Sequence, residues 1–297
     1  MTTTPMGGVF AVATTPFGPD GQQDLDQLTS STSRVLTAGV DGILTLGATG
    51  EALALSDSER EAQVRHLVEV VDGAVPVVVG CMAYRPQDVT TLIEQAASWG
   101  AAAAMVTPSF YGGLPAQAAV AALGPVLERS VLPVMVYNNP HSTGVDMLPE
   151  DLLPLREHES WWSIKETSGA ATRVRELRTA LGDDLQVFVG ADGLALEGFT
   201  QGADGWVAAS AWLTPTRCVE LWRLASSGDW AGAVSAWDKL AGPLGQIEAS
   251  PAFISLIKRS LGELGHEQGP VRTPLPTASD EDVQTLVSTL RGLGGKH

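Results

Sequence analysis

Residues 75–107 have the sequence VPVVVGCMAYRPQDVTTLIEQAASWGAAAAMVT, which contains one complete strand–helix–strand unit. The apolar run Val75–Gly80 predicts a buried strand. A helix-period segment follows at Pro86–Trp99, with its proline at a first-turn position, and a second apolar run comes at Ala102–Thr107. Strands that are apolar on both faces and alternate with helices are typical of a parallel sheet.

The same alternation recurs along most of the chain. Apolar runs predict eight strands, at Val9–Thr14, Gly42–Leu46, Val75–Gly80, Ala102–Thr107, Leu132–Tyr137, Trp162–Lys165, Gln186–Gly190 and Gly205–Ala209. Helices are predicted after them at Asp24–Ala38, Asp57–Val71, Pro86–Trp99, Pro115–Arg129, Pro149–Glu157, Ala171–Leu181, Leu194–Thr200 and Pro215–Ala225. Eight such units within about 225 residues predict an α/β fold of the (β/α)₈ TIM-barrel class.

A doubly wound open sheet is the alternative architecture. It would bring a glycine-rich phosphate turn after the first strand, and Ala13–Phe17 contains no glycine. After the eighth unit the alternation stops, and three further helices are predicted at Asp229–Gln246, Ala252–Glu263 and Ser279–Arg291. We therefore expect a barrel domain at 1–226 that carries the active site, followed by a C-terminal three-helix region at 227–297.

Composition narrows the class of function. The 297 residues carry a net charge of −16, which argues against nucleic acid, whose phosphates require a basic face. No apolar run approaches the roughly 20 residues that a membrane span needs, and Met1–Pro5 has neither a basic start nor an apolar block, so we expect no secretion signal. Cys81 and Cys218 are too few for a disulfide scaffold, and we expect both to be buried in a cytoplasmic protein.

Lys165 is the only lysine among the first 238 residues, and it lies in the apolar segment Trp161–Thr167. Burial among apolar groups disfavours the charged ammonium form of an amine. A neutral amine can form a Schiff base with a carbonyl group, which an arginine cannot do. The structural alternative is a lysine that buries its stem and pairs its amine with Glu166 or another carboxylate.

Three tyrosines, Tyr84, Tyr111 and Tyr137, follow or end predicted strands 3, 4 and 5. In barrel enzymes the chemistry lies at these carboxyl ends. Because strands 5 and 6 are neighbours in a barrel, Tyr137 is expected beside Lys165, where a phenol could relay protons. A packing role at the barrel rim is the alternative for Tyr137.

The turn after strand 2, Gly47-Ala48-Thr49-Gly50-Glu51, exposes consecutive backbone amides and a threonine hydroxyl, which suit a carboxylate. An ordinary strand-to-helix turn is the structural alternative. A doubled Gly-Ala-Asp-Gly turn, at Gly190–Gly193 and Gly202–Gly205, carries no Lys or Arg and therefore favours close backbone packing over phosphate binding. The five histidines lack paired ligand spacing, so no metal site is predicted.

Together these residues resemble the dihydrodipicolinate synthase / N-acetylneuraminate lyase family of Schiff-base aldolases. The matching landmarks come in order at Ala13–Phe17, Gly47–Glu51, Val106–Pro108, Tyr137–Pro140, Ile164–Gly169 and Gly190–Asp192. The resemblance covers nearly the whole chain. It implies a (β/α)₈ barrel with a C-terminal helical region that assembles as a homo-oligomer, either a dimer or a tetramer.

The resemblance also implies roles for individual residues. Lys165 would be the Schiff-base lysine and Tyr137 the proton relay, while the turn at Gly47, Ala48 and Thr49 would hold the carboxylate of pyruvate. Gly190 and Val207 match positions that contribute backbone contacts near the lysine. No metal or organic cofactor is expected, because the iminium is itself the electron sink.

This chain departs from the family pattern at several of these positions. Ala48 stands where the family has Ser or Thr, so one hydroxyl of the relay is missing. The second relay tyrosine of the synthases falls at Phe110, and Tyr111 could replace it if the loop is shifted. The arginine that holds a substrate carboxylate corresponds to Ser142, and the loss of a bidentate partner is not conservative.

We therefore predict a Schiff-base lyase or aldolase that acts on pyruvate or a larger 2-oxo acid. A neutral or aromatic aldehyde, or a deoxy sugar acid that undergoes dehydration, is the expected partner, in contact with Phe110 and Trp206. Three alternatives stay open. They are an authentic 4-hydroxy-tetrahydrodipicolinate synthase using pyruvate and aspartate semialdehyde, a sugar-phosphate isomerase, and a barrel that binds without catalysis.

Overall fold

The computed structural model describes residues 6–294, and residues 1–5 and 295–297 lie outside it. The expectation drawn from Met1–Pro5 therefore concerns residues outside the described part, and so do Lys296 and His297. Within 6–294, no helix is long and apolar enough to cross a membrane.

Eight parallel strands close into a barrel in chain order, so the predicted (β/α)₈ fold is confirmed. The strands are β1 Gly8–Val12, β2 Gly42–Thr45, β3 Val77–Gly80, β4 Ala103–Val106, β5 Val134–Asn138, β6 Trp161–Glu166, β7 Gln186–Val189 and β8 Gly205–Ala208. Each predicted strand corresponds to an observed one. The open-sheet alternative is wrong, because β1 pairs with β8 as well as with β2.

Helices surround the barrel and continue beyond it. They are α1 Leu25–Thr37, α2 Asp57–Val71, α3 Pro86–Ser98, α4 Ala116–Arg129, α5 Pro140–Thr143, α6 Pro149–Leu152, α7 Arg173–Leu181, α8 Ala195–Thr200, α9 Ser210–Leu213, α10 Pro215–Ser226, α11 Trp230–Ala249, α12 Phe253–Glu263 and α13 Asp280–Gly292. The last three are the predicted C-terminal helices. Because α11 packs directly on α10, the division at residue 226 stays a prediction.

One predicted helix is divided in the structure. Residues 149–157 form the short helix α6 and then a 3₁₀ segment, Leu153–Glu157. Pro154 lies at the start of that second segment, where its missing N–H cannot continue an α-helical ladder. By contrast, the capping box predicted at the start of α2 is present, because the Ser56 and Glu59 side chains each accept a backbone N–H of the other residue.

The strand residues alternate between two apolar layers. One layer fills the barrel interior and includes Phe10 and Phe188, whose rings meet edge to face with centroids 5.3 Å apart. The other layer lies between the strands and the helices and forms the larger core. Because the interior is filled with side chains, polar chemistry is confined to the carboxyl ends of the strands.

Candidate active site

Tyr137 and Lys165 face each other across β5 and β6. The two residues are register partners, and both side chains belong to the barrel interior. The Lys165 Nζ atom lies 4.3 Å from the centroid of the Tyr137 ring. Each residue is only 7% exposed. The structure therefore brings together the amine and the phenol that the sequence pattern predicted as neighbours.

The Lys165 amine has no carboxylate partner within 4.0 Å among the described residues. Glu166, the partner suggested by the structural alternative, faces away, since its carboxylate accepts hydrogen bonds from Asn138 Nδ2 at 2.9 Å and from the Ser168 N–H. Burial raises the pKa of Glu166, against the effect of these hydrogen bonds. The ion-pair interpretation of Lys165 is therefore wrong.

Asn139 holds the Tyr137 hydroxyl. Its Nδ2 atom donates to Tyr137 Oη at 2.7 Å and lies 3.1 Å from Ser142 Oγ. Its Oδ1 atom accepts the Ser142 N–H, so this side chain also caps α5. Because the phenol oxygen accepts from Asn139, its own proton is left for a ligand. Sequence reasoning missed this role, although Asn139 lies in the motif that was singled out.

The turn after β2 has an unusual backbone. Leu46 and Glu51, which flank it, both have left-handed conformations, with φ of 54° and 56°. Such conformations cost energy for residues other than glycine and tend to occur at functional sites. The N–H groups of Gly50, Glu51 and Ala52 bond within the turn, whereas those of Ala48 and Thr49 have no acceptor in the described part of the chain. Two adjacent free amides fit the predicted carboxylate cradle.

A buried ion pair, which sequence reasoning missed, supports this turn. Lys258, in α12, donates to Glu51 Oε1 at 2.8 Å, Thr15 O at 2.8 Å and Pro270 O at 2.7 Å. Both charged side chains of the pair are fully buried. The other carboxylate oxygen of Glu51 accepts the Arg272 N–H at 2.8 Å. Lys258 and Arg272 are each more than 200 residues away from Glu51 in sequence, so no local sequence pattern predicted this ion pair.

Gly190 follows β7 and lies against the lysine stem. A Cβ atom at this position would be 2.1 Å from Thr167 Oγ1 and 2.7 Å from Lys165 Cε, so no side chain fits there. Val207, in β8, belongs to the interior layer of the barrel and is fully buried. Gly190 therefore lies in the surroundings of Lys165 that the resemblance implied, whereas a contact of Val207 near the lysine stays a prediction.

A cavity of about 380 Å³ opens beside Tyr137. Its lining includes Ala48 from the β2 turn together with Phe110 and Ser142, three positions that depart from the family pattern. Tyr111 is outside this lining and is 78% exposed. The structure thus separates Phe110, which faces the cavity, from Tyr111, which points to solvent in the described chain.

Trp206 does not line this cavity, contrary to the expectation. It is fully buried in the layer between the strands and the helices, where it packs on Phe199. Its indole N–H donates to Asp192 Oδ1 at 2.9 Å, and the other oxygen of Asp192 accepts the Ser210 N–H at 2.8 Å. Successive strand residues point to opposite faces of the sheet. Because Val207 faces the barrel interior, its neighbour Trp206 faces the helices and cannot line the cavity.

The remaining polar features are separate from this site. Among residues 6–294, no group of three or more His, Cys, Asp or Glu side chains could hold a metal ion. Cys81 and Cys218 are buried, as predicted, and burial raises the pKa of the Cys81 thiol to about 12. His141 Nε2 lies 3.2 Å from Ser168 O, beside the strand ends but outside the cavity lining.

Comparison with known proteins agrees with this geometry. The model of the dihydrodipicolinate synthetase family matches residues 5–293. The chain belongs to this family. It is therefore an enzyme of the class I aldolase and lyase type, as predicted.

Named relatives cover most of the chain. A 4-hydroxy-tetrahydrodipicolinate synthase of Xanthomonas campestris pv. campestris is 35% identical over 266 residues, which are 88% of this chain and 87% of the relative. The synthase of Sorangium cellulosum is 31% identical and covers 99% of this chain and 98% of its own length. These identities establish the family and leave the substrate to be argued from the site.

Solved structures are similar over nearly the full length. The dihydrodipicolinate synthase of Thermotoga maritima superposes with a TM-score of 0.92 at 27% identity, covering 97% of this chain and 99% of that one. The synthase of Acinetobacter baumannii, solved in complex with pyruvate, has a TM-score of 0.91 at 26% identity, with 97% and 98% covered.

Proposed function

We propose that this enzyme makes or breaks a carbon–carbon bond, or removes water, at a 2-oxo acid held as a Schiff base on Lys165. One observation carries the proposal. The Lys165 amine is buried inside the barrel without a carboxylate partner among the described residues, and it lies 4.3 Å from the ring centroid of Tyr137. An unpaired buried amine beside a phenol suits nucleophilic attack on a carbonyl followed by proton transfer.

The first steps convert the keto acid into a carbon nucleophile. Lys165 Nζ bonds to C2 of pyruvate, and loss of the C2 oxygen as water leaves an iminium. The positive nitrogen withdraws electrons from C3, so a C3 proton is lost and an enamine forms. Tyr137 carries protons in these steps, and Asn139 holds its hydroxyl in place at 2.7 Å.

Condensation completes the cycle in one direction. The enamine C3 bonds to the carbonyl carbon of an aldehyde, and the aldehyde oxygen takes a proton from Tyr137. Water then hydrolyses the iminium and releases a 4-hydroxy-2-oxo acid together with the free lysine amine. Cleavage is the same sequence reversed. In a dehydration, the enamine would form on the hydroxylated 2-oxo acid itself, and its C4 hydroxyl would then leave as water.

The β2 turn is the proposed site for the carboxylate of the 2-oxo acid. The free N–H groups of Ala48 and Thr49 support this assignment, because preorganised amides bind an anion without reorganising. The missing hydroxyl at Ala48 removes one relay group, so Tyr137 has to exchange protons with the substrate or with water.

A second candidate is the reaction of the named relatives, 4-hydroxy-tetrahydrodipicolinate synthesis. Their identity of about one third supports it. Ser142 counts against it, because a hydroxyl cannot replace the arginine that the resemblance expects for a substrate carboxylate. A coupled assay with pyruvate and aspartate semialdehyde distinguishes the two candidates.

The direct test of the proposed function measures release of pyruvate from 4-hydroxy-2-oxo acids and its consumption with aldehydes. We expect turnover in the unmodified protein and none above background in Lys165→Met. Lys239→Met, which removes an exposed lysine of α11, serves as the matched control and should retain full activity. Equal turnover in Lys165→Met would contradict the proposal.

A further inference from the structure

The cavity beside Tyr137 has a wall that the proposed mechanism does not use. This wall is built from four separate parts of the chain, namely the β2–α2 segment, the loop after β3, the loop after β4, and the C-terminal region. Its larger apolar members are Leu53, Met82, Phe110, Ile254, Pro274 and Leu275. We call the whole cavity, which these residues and the other lining residues enclose, the apolar chamber.

Charge is nearly absent from the apolar chamber. Among the described residues that line it, Glu51 alone has a charged side chain, and no lysine or arginine is present. The Glu51 carboxylate is already held by Lys258 Nζ and by the Arg272 N–H. A ligand carboxylate placed among the apolar residues, away from the amides of the β2 turn, would lose its hydration and gain no cation, which is unfavourable.

One polar group in the lining lacks a partner. Thr107 follows β4, is 7% exposed, and has a buried hydroxyl without a hydrogen-bond partner among the described residues. Thr107 and Tyr137 both line the chamber. A buried hydroxyl without a partner is costly and is expected to be satisfied when a ligand binds.

We propose that the apolar chamber binds an uncharged aliphatic or aromatic substituent on the aldehyde substrate, and that the Thr107 hydroxyl binds the aldehyde oxygen. The inference rests on the proposed function, because the aldehyde carbon has to meet an enamine on Lys165. It adds a substrate class to that function. The substituent determines which aldehyde binds, because binding transfers it from water to the apolar wall of the chamber.

Two aldehydes of equal chain length provide the test. Butanal and succinic semialdehyde differ in whether the chain ends in a methyl group or a carboxylate, and benzaldehyde adds an aromatic ring. With pyruvate in excess, we expect kcat/KM for butanal and benzaldehyde to exceed that for succinic semialdehyde by about tenfold or more. Product formation is followed by NMR, so that no coupling enzyme limits the choice of aldehyde.

Three variants locate the effect. Ser142→Arg places a cation at an exposed position of the lining and should raise kcat/KM for succinic semialdehyde relative to butanal. Val131→Arg adds the same charge at an exposed site between α4 and β5, on the opposite face of the barrel, and should leave the ratio unchanged. Thr107→Val should lower kcat/KM for both aldehydes by about tenfold. Its thermal stability should not fall, because the lost hydroxyl has no partner to release.

The controls separate this inference from the proposed function. Borohydride reduction with pyruvate alone reports the Schiff base without any aldehyde. If no adduct forms on Lys165, the proposed function fails. If the adduct forms but succinic semialdehyde reacts as well as butanal, or neither apolar aldehyde reacts, the chamber assignment alone is overturned. Unchanged kcat/KM in Thr107→Val would overturn the role of its hydroxyl.

Discussion

At residue 190, the space beside the Lys165 stem is too small for any side chain. Gly190→Ala would place a Cβ atom 2.7 Å from Lys165 Cε and 2.1 Å from Thr167 Oγ1, so both side chains have to move. We expect kcat to fall by about tenfold or more, because small displacements of a reacting group are costly. Overpacking should also lower the unfolding free energy by about 1–3 kcal/mol.

Gly242→Ala is the matched control for that change. Gly242 lies within α11, where an added Cβ atom would meet nothing within 4 Å. An alanine in a helix is more stable than glycine by roughly 0.5–1 kcal/mol. Steady-state kinetics and urea unfolding of the two variants check both expectations. A Gly190→Ala enzyme with normal kcat would show that the lysine position is not critical.

The phenol of Tyr137 is expected to act in proton transfer and not in folding. Tyr137→Phe keeps the ring that Lys165 approaches and removes only the hydroxyl that accepts from Asn139. We expect kcat to fall by about 10²–10⁴-fold, with a smaller change in thermal stability. Pyruvate turnover and a melting curve provide the measurement, and a kcat within a factor of about two of the unmodified enzyme would exclude the relay role.

Lys165 and Tyr137 could be found from the sequence, because a strand end is a local feature and barrel order makes strands 5 and 6 neighbours. Lys258 could not. Its apolar surroundings come from residues far away in the chain, and its partner Glu51 is 207 residues earlier. A lysine in an amphipathic helix resembles a surface residue until tertiary packing buries it.

At the scale of elements, α12 and the segment after it bind the β2–α2 region through Lys258 and Arg272. Burial lowers the pKa of Lys258, and the nearby Glu51 carboxylate opposes that effect. The Arg272 guanidinium contacts both carboxylate oxygens of Glu59 and the carbonyl oxygens of Gly21 and Ala54. These contacts hold the cradle turn and one wall of the apolar chamber together.

Lys258→Met should therefore be strongly destabilising. It leaves the Glu51 carboxylate buried without its cation, and breaking a buried pair in this way costs about 3–5 kcal/mol. The double variant Lys258→Met with Glu51→Gln should recover part of that loss, because no buried charge remains. Urea unfolding of the three proteins measures the effect. A loss below about 1 kcal/mol in the single variant would mean that the pair is not buried in solution.

The ion pair between Glu59 and Arg272 predicts a pH dependence of stability. The Arg272 hydrogen bond lowers the pKa of Glu59 from 4.5 to about 2. The pair thus stabilises the fold fully above about pH 4.5, and this contribution is lost as the pH falls toward about 2. Glu59→Gln preserves the capping hydrogen bond, so the stability difference between the two proteins should shrink as the pH falls from about 4.5 to 3. A constant difference in urea unfolding across that range would contradict the assignment.

The elements themselves were largely predictable. Apolar runs located all eight strands, with ends that differ by at most two residues, because buried parallel strands leave a continuous apolar pattern. The short helices α5 and α9 were missed, since four residues carry too little periodicity to detect. The pattern over 149–157 suggested one helix because the period persists through Pro154.

At the scale of the whole molecule, the closed barrel follows from counting βα units, whereas the apolar chamber does not. Its walls come from the β2–α2 segment and from the C-terminal region, which meet only after the chain folds. Assembly into a dimer or tetramer, and a cytoplasmic location, stay predictions. The fold thus depends on local pattern, and the substrate class depends on long-range contacts.

Reductive trapping with pyruvate shows whether Lys165 forms the proposed Schiff base. The protein is treated with borohydride in the presence and absence of pyruvate, digested, and mapped by peptide mass spectrometry, with Lys165→Met as the negative control. We expect a reduced pyruvate adduct on the peptide that contains Lys165, and on that peptide only when pyruvate is present. No adduct on Lys165, or an adduct on Lys239 or Lys258 in its place, would contradict it.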